Sequence, residues 1–298
     1  MASRPDRLLG LLLAVWVFTP SAKASPLKIA TWNLNWLILP GSAPADLPSN
    51  IPHRTERDWA GLASEASRLD ADIIAVQEVA DEAALARLFP PATYHLVMSH
   101  APIAQNLGVA LRAPWHAIGH QEVHTLDRSA SHGGHTLRPG LDVIVSDGDH
   151  QLRLLVVHLK SGCWERSWAE KNHSCPILRE QIAILSDWIA EREDEGEAYA
   201  VIGDFNRRMT LHDPYYRALI DKARPLLTTS GLSSPCEGGS YFIDHILLGG
   251  PARDWIVPGS LRVLIAPPAS ERLLLSDHCP VSVRVAPTAD PETHPGMP

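Results

Sequence analysis

Short runs of apolar residues recur along most of the chain, each with the length of one buried strand. The runs cover residues 27–32, 73–76, 107–111, 152–159, 199–202, 241–248 and 280–285. Two other segments, 55–68 and 174–192, have apolar residues three and four positions apart, which is the spacing of one helix face. The first of them begins with Thr55 and Asp58, a variant of the capping box. Many strands and few helices favour an α/β sandwich over a regular strand–helix alternation.

The first 24 residues have the features of a secretory signal peptide. Arg4 and Arg7 precede an unbroken apolar run at 8–18, and Ala22-Lys23-Ala24 supplies the small residues that a signal peptidase recognises. As a helix, this run reaches about half of the roughly 30 Å hydrocarbon core, so no stable membrane insertion is expected. The sequence therefore predicts a signal peptide at 1–24, one domain at 25–286, a disordered tail at 287–298, and a secreted or periplasmic protein.

The composition limits the class of protein further. With 45% hydrophobic residues in 298 positions, the chain can form a sizeable core, which excludes disorder of the whole chain. The formal net charge is −8, and loss of the signal peptide, with three basic residues and one acidic residue, takes it to −10. So acidic a protein is not held on nucleic acid by bulk positive charge.

Four cysteines in an exported chain predict two disulfides. Three pairings are possible, and we favour Cys163–Cys175, which closes a short loop and leaves Cys236–Cys279. The cysteines lack the short spacing that structural zinc sites prefer, so a zinc site is disfavoured.

Polar side chains follow six apolar segments at the point where each segment ends. These residues are Asn33 and Asn35, Gln77 and Glu78, His158 and Lys160, Asp204 and Asn206, Asp244 and His245, and Asp277 and His278. One Asp or Asn after a strand is ordinary turn chemistry. Six such ends, carrying carboxylates, carboxamides and imidazoles, instead predict one shared site, because ligand chemistry in α/β sheets gathers at strand ends.

Six motifs around these residues carry a resemblance to a known family. They are TWNLNWL at 31–37, DIIAVQEV at 72–79, VVHLKSG at 156–162, VIGDFNRR at 201–208, YFIDHILL at 241–248 and LSDHCPV at 275–281. In this order, over residues 27–285, they resemble the endonuclease/exonuclease/phosphatase superfamily, which has the deoxyribonuclease I-like fold. The resemblance implies a four-layer α/β sandwich with two packed mixed sheets, helices outside, and the site at one end.

The resemblance also implies a divalent metal ion. Glu78 is the expected ligand, with Asn33 beside the same ion and Asp277 completing its shell directly or through water. Oxygen ligands suit Mg²⁺, with Mn²⁺ or Ca²⁺ as alternatives. Asn35 stands where some family members have an acidic residue, so the metal shell here is expected to be weaker.

The remaining site residues are given roles in phosphoester hydrolysis. By resemblance, Asp204 is the base or water-orienting group and Asn206 the phosphate clamp; in an extended segment, both side chains share one face. Asp244 orients His278, which contacts the phosphate or the attacking water, and His158 stabilises or protonates the leaving oxygen. The expected phosphate contacts are Lys160 and Arg207.

The leading hypothesis is a secreted, divalent-metal-dependent phosphodiesterase, and more specifically a nuclease (an endonuclease). A phosphatase or a sphingomyelinase-like phospholipase C of the same superfamily is the first alternative, so the partner is nucleic acid or another phosphodiester. A non-catalytic binding or toxin-delivery module is disfavoured by the intact acidic residues. Trp164 and Trp168, in the loop after His158, are either core residues or stack on a base or a lipid. The oligomeric state is not predicted.

Overall fold

The structure is a computed structural model that describes residues 26–41, 47–132, 136–236, 238–268 and 272–288. The predicted signal peptide at 1–24 and most of the predicted tail at 287–298 lie outside the described residues. The strands are β1 (Leu27–Leu37), β2 (Ile73–Val79), β3 (Tyr94–Met98), β4 (Asn106–Arg112), β5 (His116–Val123), β6 (Gly140–Ser146), β7 (Gln151–His158), β8 (Tyr199–Asp204), β9 (Leu226–Leu227), β10 (Asp244–Gly249), β11 (Arg262–Val263) and β12 (Val281–Val285). The helices are α1 (Glu56–Leu69), α2 (Glu82–Ala86), α3 (Ser129–His132), α4 (Cys175–Asp194) and α5 (Pro214–Leu219).

The strands form two six-stranded mixed sheets, as the predicted sandwich requires. Their orders are β11-β12-β1-β2-β4-β3 and β5-β6-β7-β8-β10-β9. Near the centre of each sheet lies one parallel pair, β1 with β2 and β7 with β8. β8 pairs antiparallel with β10, so that Asp204 at the end of β8 lies opposite Asp244 at the start of β10. The C-terminal ends of β1, β2, β7 and β8 and the start of β10 therefore meet at one edge of the sandwich.

Apolar side chains fill three layers. In β7, Leu154 and Val156 pack between the two sheets, whereas Leu155 and Val157 pack under α4 and α5. A third cluster buries Trp59 and Leu62 of α1 against the outer face of the first sheet. Central strands are thus covered on both faces, which explains why they are continuous apolar runs rather than alternating ones. The four-layer architecture is confirmed.

Helix α1 begins where the sequence predicts. The Thr55 hydroxyl accepts from the Asp58 backbone N–H, and the Asp58 carboxylate accepts in return from the Thr55 N–H at 2.7 Å. This capping box is closed on both sides. The predicted strand at 241–248 is wrong at its start, because β10 begins at Asp244 and Tyr241 forms an isolated bridge with Ser233.

Both predicted disulfides are present, Cys163–Cys175 and Cys236–Cys279, and none of the four cysteines is free. Cys163 directly precedes Trp164, and Cys279 directly follows His278. Within the part of the chain that the structure describes, no helix is both long and apolar enough to cross a membrane.

Candidate active site

The strand ends bring most of the predicted residues into one network of hydrogen bonds and close charged contacts. Its members are Asn33, Glu78, His158, Asp204, Asn206, Asp244 and His278. Asp277 lies at the exposed rim of this network, and Lys160 lines a neighbouring cavity. The separate strand ends of the sequence therefore form one site.

The Asp204 carboxylate is the centre of the network and is 1% exposed. Its Oδ1 accepts from the Asn206 backbone N–H at 2.7 Å. Its Oδ2 accepts from Asn33 Nδ2 at 3.1 Å and from Asn206 Nδ2 at 3.2 Å. The Nε2 atoms of His158 and His278 lie 3.5 Å and 3.9 Å from the same oxygen. Burial, and then the nearby charge of Asp244, raise the pKa of Asp204 to about 7, so this carboxylate can exchange a proton near neutral pH.

The backbone around the site adopts conformations that are uncommon for residues other than glycine. Asn35, Trp36, Glu78 and Asn206 all have a positive φ, between 48° and 62°. Gly203 has a φ of +144°, and a Cβ there would lie 2.0 Å from the Val157 carbonyl oxygen. Glycine therefore allows β7 and β8 to approach closely where they end, and local strain of this kind is typical of functional sites.

Asp244 and His278 form a hydrogen-bonded pair. Asp244 Oδ2 lies 2.7 Å from His278 Nδ1, which fixes the second ring nitrogen, Nε2, toward Asp204. Burial lowers the pKa of His278, but the charge of Asp244 outweighs it and raises the pKa well above 6.5. His278 is thus a cationic donor whose Nε2–H points into the site.

His158 approaches the same oxygen of Asp204 and is 6% exposed. Its Nε2 is 3.6 Å from Glu78 Oε1, and its Nδ1 has no hydrogen-bond partner among the described residues. Burial, followed by the charge of Arg138, lowers the pKa of His158 well below 6.5. A neutral imidazole favours stabilisation of a leaving oxygen by a hydrogen bond over its protonation.

The donor set at this edge fits a divalent cation. Glu78, Asp204 and Asp244 supply carboxylate oxygens, and Asp244 Oδ1 is buried without a hydrogen-bond donor in the described part of the chain. One oxygen of Asp204 and one of Asp244 lie within 4.8 Å of each other, whereas the cationic His278 beside them has no free lone pair for a metal. Buried, uncompensated oxygen atoms are what a hard cation such as Mg²⁺ would bind.

The predicted ligand Asn33 is oriented as a hydrogen-bond donor. Its Nδ2 bridges Glu78 Oε1 at 3.1 Å and Asp204, while its Oδ1 accepts from the Asn35 backbone N–H. Glu78 Oε2 in turn accepts from the Trp36 N–H at 3.1 Å. The predicted metal ligands Asn33, Glu78 and Asp277 remain a prediction, and the geometry adds Asp204 and Asp244 as further candidates.

Asn206 is at the site but has no free donor for a phosphate. Both hydrogens of its Nδ2 are engaged, by the Leu159 carbonyl at 3.0 Å and by Asp204. Its Oδ1 accepts from Trp164 Nε1 at 3.3 Å. In this arrangement Asn206 orients the Asp204 carboxylate, and the predicted role of phosphate clamp is not supported.

The prediction that Arg207 contacts phosphate is wrong. The guanidinium is buried, donates to the Asp213 carboxylate and to the carbonyls of Cys163 and Arg166, and lies 4.1 Å from the Tyr215 ring centroid. All three guanidinium nitrogens are engaged within the protein and the residue is 3% exposed, so Arg207 does not face a substrate. Lys160 remains a candidate, because it is partly buried beside the site and its Nζ has one long contact, at 3.5 Å, with the Ser161 carbonyl.

Arg207→Lys should therefore change stability and leave substrate binding unchanged. Lysine cannot reproduce the fork that joins Asp213 to the 163–166 loop, so the melting temperature should fall by about 4 °C while KM stays within about twofold. Thermal unfolding and steady-state kinetics measure the two effects, with Lys160→Ala as the comparison expected to raise KM. An increase in KM without a change in melting temperature would restore Arg207 as a substrate contact.

Sequence reasoning missed Arg138, which lies just before β6. One nitrogen donates to the Leu159 carbonyl at 3.3 Å, and its Nε is buried without a partner among the described residues. The charges of Glu78 and Asp204 act on it, and it lines, with Lys160, a cavity of about 1210 Å³. The signal in the sequence is a lone arginine between Leu137 and Pro139 at the start of an apolar segment.

Arg54, just before α1, was also missed. Its buried guanidinium donates to five backbone carbonyls at 2.8–3.0 Å, those of Leu34, Asn35, Trp36, Leu274 and Leu275. Burial lowers the pKa of Arg54 to about 10, which leaves the group charged at neutral pH. Arg54 thus joins the end of β1 to the segment that precedes Asp277 and His278.

Comparisons with known proteins agree with this architecture. The sequence model of the Endonuclease/Exonuclease/phosphatase family matches residues 30–278. A search of curated protein sequences finds no match. Truncated TDP2 from Caenorhabditis elegans is similar in structure, with a TM-score of 0.62 and 15% identity over 88% of this chain and 98% of that chain.

Two further solved structures share the fold. The catalytic domain of human Nocturnin, with a bound sulfate anion, has a TM-score of 0.55 and 15% identity over 87% of this chain and 93% of its own. The 3′ phosphatase NExo from Neisseria, bound to a product DNA hairpin, has a TM-score of 0.54 and 16% identity over 87% and 99%. Together with the sandwich and the site, the family match over most of the chain shows that the protein belongs to the endonuclease/exonuclease/phosphatase family and is a phosphoester hydrolase.

Proposed function

We propose that this protein is a secreted, divalent-metal-dependent phosphodiesterase that cleaves nucleic acid. The observation that carries the proposal is the buried Asp204 carboxylate, which lies between a neutral His158 and a cationic His278 and next to Glu78. In-line attack of water on a phosphodiester requires a base, a cationic donor and a neutral donor close together. Asp204, His278 and His158 supply these three groups.

Each residue of this arrangement has a role that follows from its contacts. A divalent ion bound by Glu78 and its neighbours would neutralise phosphate charge. Asp204 accepts the proton of the attacking water, and Asn33 and Asn206 hold its carboxylate in place. His278, held by Asp244, donates from Nε2 to a phosphate oxygen. His158 donates to the leaving oxygen from the other side, and Arg138 and Lys160 are the available cations for the phosphate beyond it.

Nucleic acid is favoured as the substrate by a similar protein and by the site's surroundings. NExo, which shares the fold, was solved with product DNA. Trp164, 48% exposed, stands at the rim of the network through its bond to Asn206. An exposed aromatic ring beside a phosphate site is typical of proteins that bind single-stranded nucleic acid.

One observation favours a second candidate, a sphingomyelinase-like phospholipase C. The cavity of about 1210 Å³ beside Lys160 and Arg138 has apolar side chains such as Pro102, Ile103 and Ile177 in its lining. A cleft of that size and character can take a long apolar group. Phosphatase activity on inositol phosphates is the other alternative.

A substrate panel with and without chelator distinguishes these activities. Supercoiled plasmid, RNA, sphingomyelin and inositol phosphates are incubated with the protein in EDTA and after addition of Mg²⁺, Mn²⁺ or Ca²⁺. We expect plasmid nicking that is abolished by EDTA and restored by a divalent ion, and Glu78→Gln should need a higher metal concentration for half-maximal rate. Cleavage of sphingomyelin alone would replace the nuclease proposal by the phospholipase, and metal-independent cleavage would contradict both.

The mature protein is proposed to be the exported chain without residues 1–24, which keeps the domain at 25–286 and the tail at 287–298. The two disulfides support this proposal, since crosslinks of this kind persist in oxidising compartments. N-terminal sequencing of the exported protein should begin at Ser25, and thiol titration of denatured, unreduced protein should find no free thiol. An uncleaved N-terminus, or four reactive thiols in the exported protein, would contradict the proposal.

A further inference from the structure

A second, smaller cavity, which Lys160 does not line, adjoins the site. Its volume is about 330 Å³, and Asp244, Asp277 and His278 form part of its lining. Trp164 and Arg208 line it as well, together with the Cys236–Cys279 disulfide. Any group seated there is therefore attached to, or next to, the phosphate on which the site acts.

The Trp164 ring is held at one edge by a hydrogen bond, and about half of the residue is exposed to solvent. The indole N–H donates to Asn206 Oδ1 at 3.3 Å, although 48% of the residue is exposed. The Cys163–Cys175 disulfide closes the loop that carries this residue. An aromatic ring held by its edge loses little freedom when a second ring stacks on its face, which makes Trp164 a preformed platform.

Arg208 supplies the polar contact in the same cavity. Its guanidinium lies 5.8 Å from the Trp164 ring centroid, and its backbone N–H donates to the Trp164 carbonyl at 3.1 Å. One nitrogen pairs with Glu165 at 3.0 Å, whereas Nε is buried and has no hydrogen-bond partner in the described residues. The cavity therefore offers a stacking face with a hydrogen-bond donor beside it.

The volume of the cavity, the Trp164 ring and the charge of Arg208 together favour a nucleobase as the bound group. A volume of about 330 Å³ is at the lower end for ligand pockets and matches one planar base with part of its sugar, not a lipid chain. A quaternary ammonium head group would meet the positive charge of Arg208 on the same ring. A nucleobase is neutral, stacks on tryptophan, and carries acceptor atoms for a guanidinium.

Building on the proposed nuclease function, we infer that this cavity of about 330 Å³ binds one nucleobase next to the scissile phosphate. We call it the slot, and Trp164 and the Cys236–Cys279 disulfide both line it. Stacking on Trp164 and donation from Arg208 hold the base, while His278 and Asp277 at the edge of the slot face its phosphate. The slot thus contributes to the choice of a nucleotide substrate over other phosphodiesters.

The test uses a short single-stranded oligonucleotide with one cleavable phosphodiester between methylphosphonate linkages. Two analogues lack the base on the 5′ or the 3′ side of that phosphodiester. For the wild-type protein, loss of one of these bases should lower kcat/KM by about 10-fold. For Trp164→Ala, the substrates with and without that base should be cleaved at rates within about twofold of each other.

Two further variants separate stacking from structural effects. Trp164→Phe keeps a ring but loses the bond to Asn206, and it should retain the base dependence. Trp168 is the matched control, because it lies on the same loop, is 41% exposed, and packs edge-on against Tyr215 with ring centroids 4.9 Å apart. Trp168→Ala should behave as wild type. Equal loss of base dependence in Trp168→Ala would assign the effect to the loop and overturn the inference.

A binding measurement in EDTA separates this inference from the nuclease proposal. Fluorescence anisotropy of the labelled oligonucleotides gives Kd for the wild type and for Trp164→Ala without requiring hydrolysis. Tighter binding of the oligonucleotide with the base, lost in Trp164→Ala, supports the slot even if no nucleic acid is cleaved. Cleavage with no base dependence in wild-type kcat/KM or Kd overturns the slot and leaves the nuclease proposal standing.

Discussion

Asp204→Asn should lower kcat by at least about 100-fold while the protein remains folded. The substituted amide oxygen can still accept from the Asn206 backbone N–H, whereas its NH2 group cannot accept from the Nδ2 atoms of Asn33 and Asn206. What is lost is the carboxylate that can accept a proton between His158 and His278. Single-turnover cleavage of the preferred substrate in saturating metal measures the chemical step, and circular dichroism and thermal unfolding measure the fold.

The control for this prediction is another buried carboxylate. Asp142 is 1% exposed and accepts from Arg153 at 2.9 Å and from Trp188 Nε1 at 3.2 Å, on a strand of the same sheet but outside the network. Asp142→Asn should lower the free energy of unfolding and leave kcat within about twofold of wild type. A folded Asp204→Asn protein with wild-type kcat would remove Asp204 from the chemistry.

Arg54→Ala should reduce the free energy of unfolding by about 3 kcal/mol, the largest stability effect that we expect from one polar side chain. The substitution leaves the carbonyls at the end of β1 and at Leu274 and Leu275 without their shared donor. Arg54→Lys should rescue little of this loss, because an ammonium group cannot match the planar fork. Urea unfolding measures the difference.

Arg54 is further expected to position the site. It fixes the segment before Asp277 relative to β1, so its loss should raise the metal concentration for half-maximal activity by about 10-fold. Lys222→Ala is the control, since Lys222 pairs with Asp187 on the surface, where both side chains are more than half exposed, and such a pair contributes little. Normal metal activation in folded Arg54→Ala would reduce Arg54 to a purely structural residue.

The sequence predicts most central strands, such as β7 and β8, because both of their faces are buried. Apart from Arg153, their internal positions are apolar or Gly, so the runs are visible without any structure. The interior strand β6 was missed, because Asp142 interrupts its apolar run. β5 was missed because it is an edge strand on which exposed His116 and His120 interrupt any apolar run. A strand that is buried on one face or on neither does not form a continuous apolar run that the sequence would reveal.

The site residues also differ in how visible they are in the sequence. Asp204, Asp244 and His278 could be found because each directly ends or follows an apolar segment. The error at Arg207 arose because sequence adjacency does not reveal orientation: Arg207 turns inward to Asp213, and Arg208 turns toward the cavity. Arg54 and Arg138 are held by contacts between residues distant in sequence, which no local motif records.

The two disulfides beside the site make its final geometry depend on the oxidation of four cysteines. Cys163–Cys175 holds the loop of Trp164, and Cys236–Cys279 joins the residue after His278 to a distant segment. A newly made chain with free thiols lacks both covalent restraints on the segments next to Trp164 and His278. Under the proposed export and nuclease activity, disulfide formation after export would spare the producing cell's own genome and transcripts.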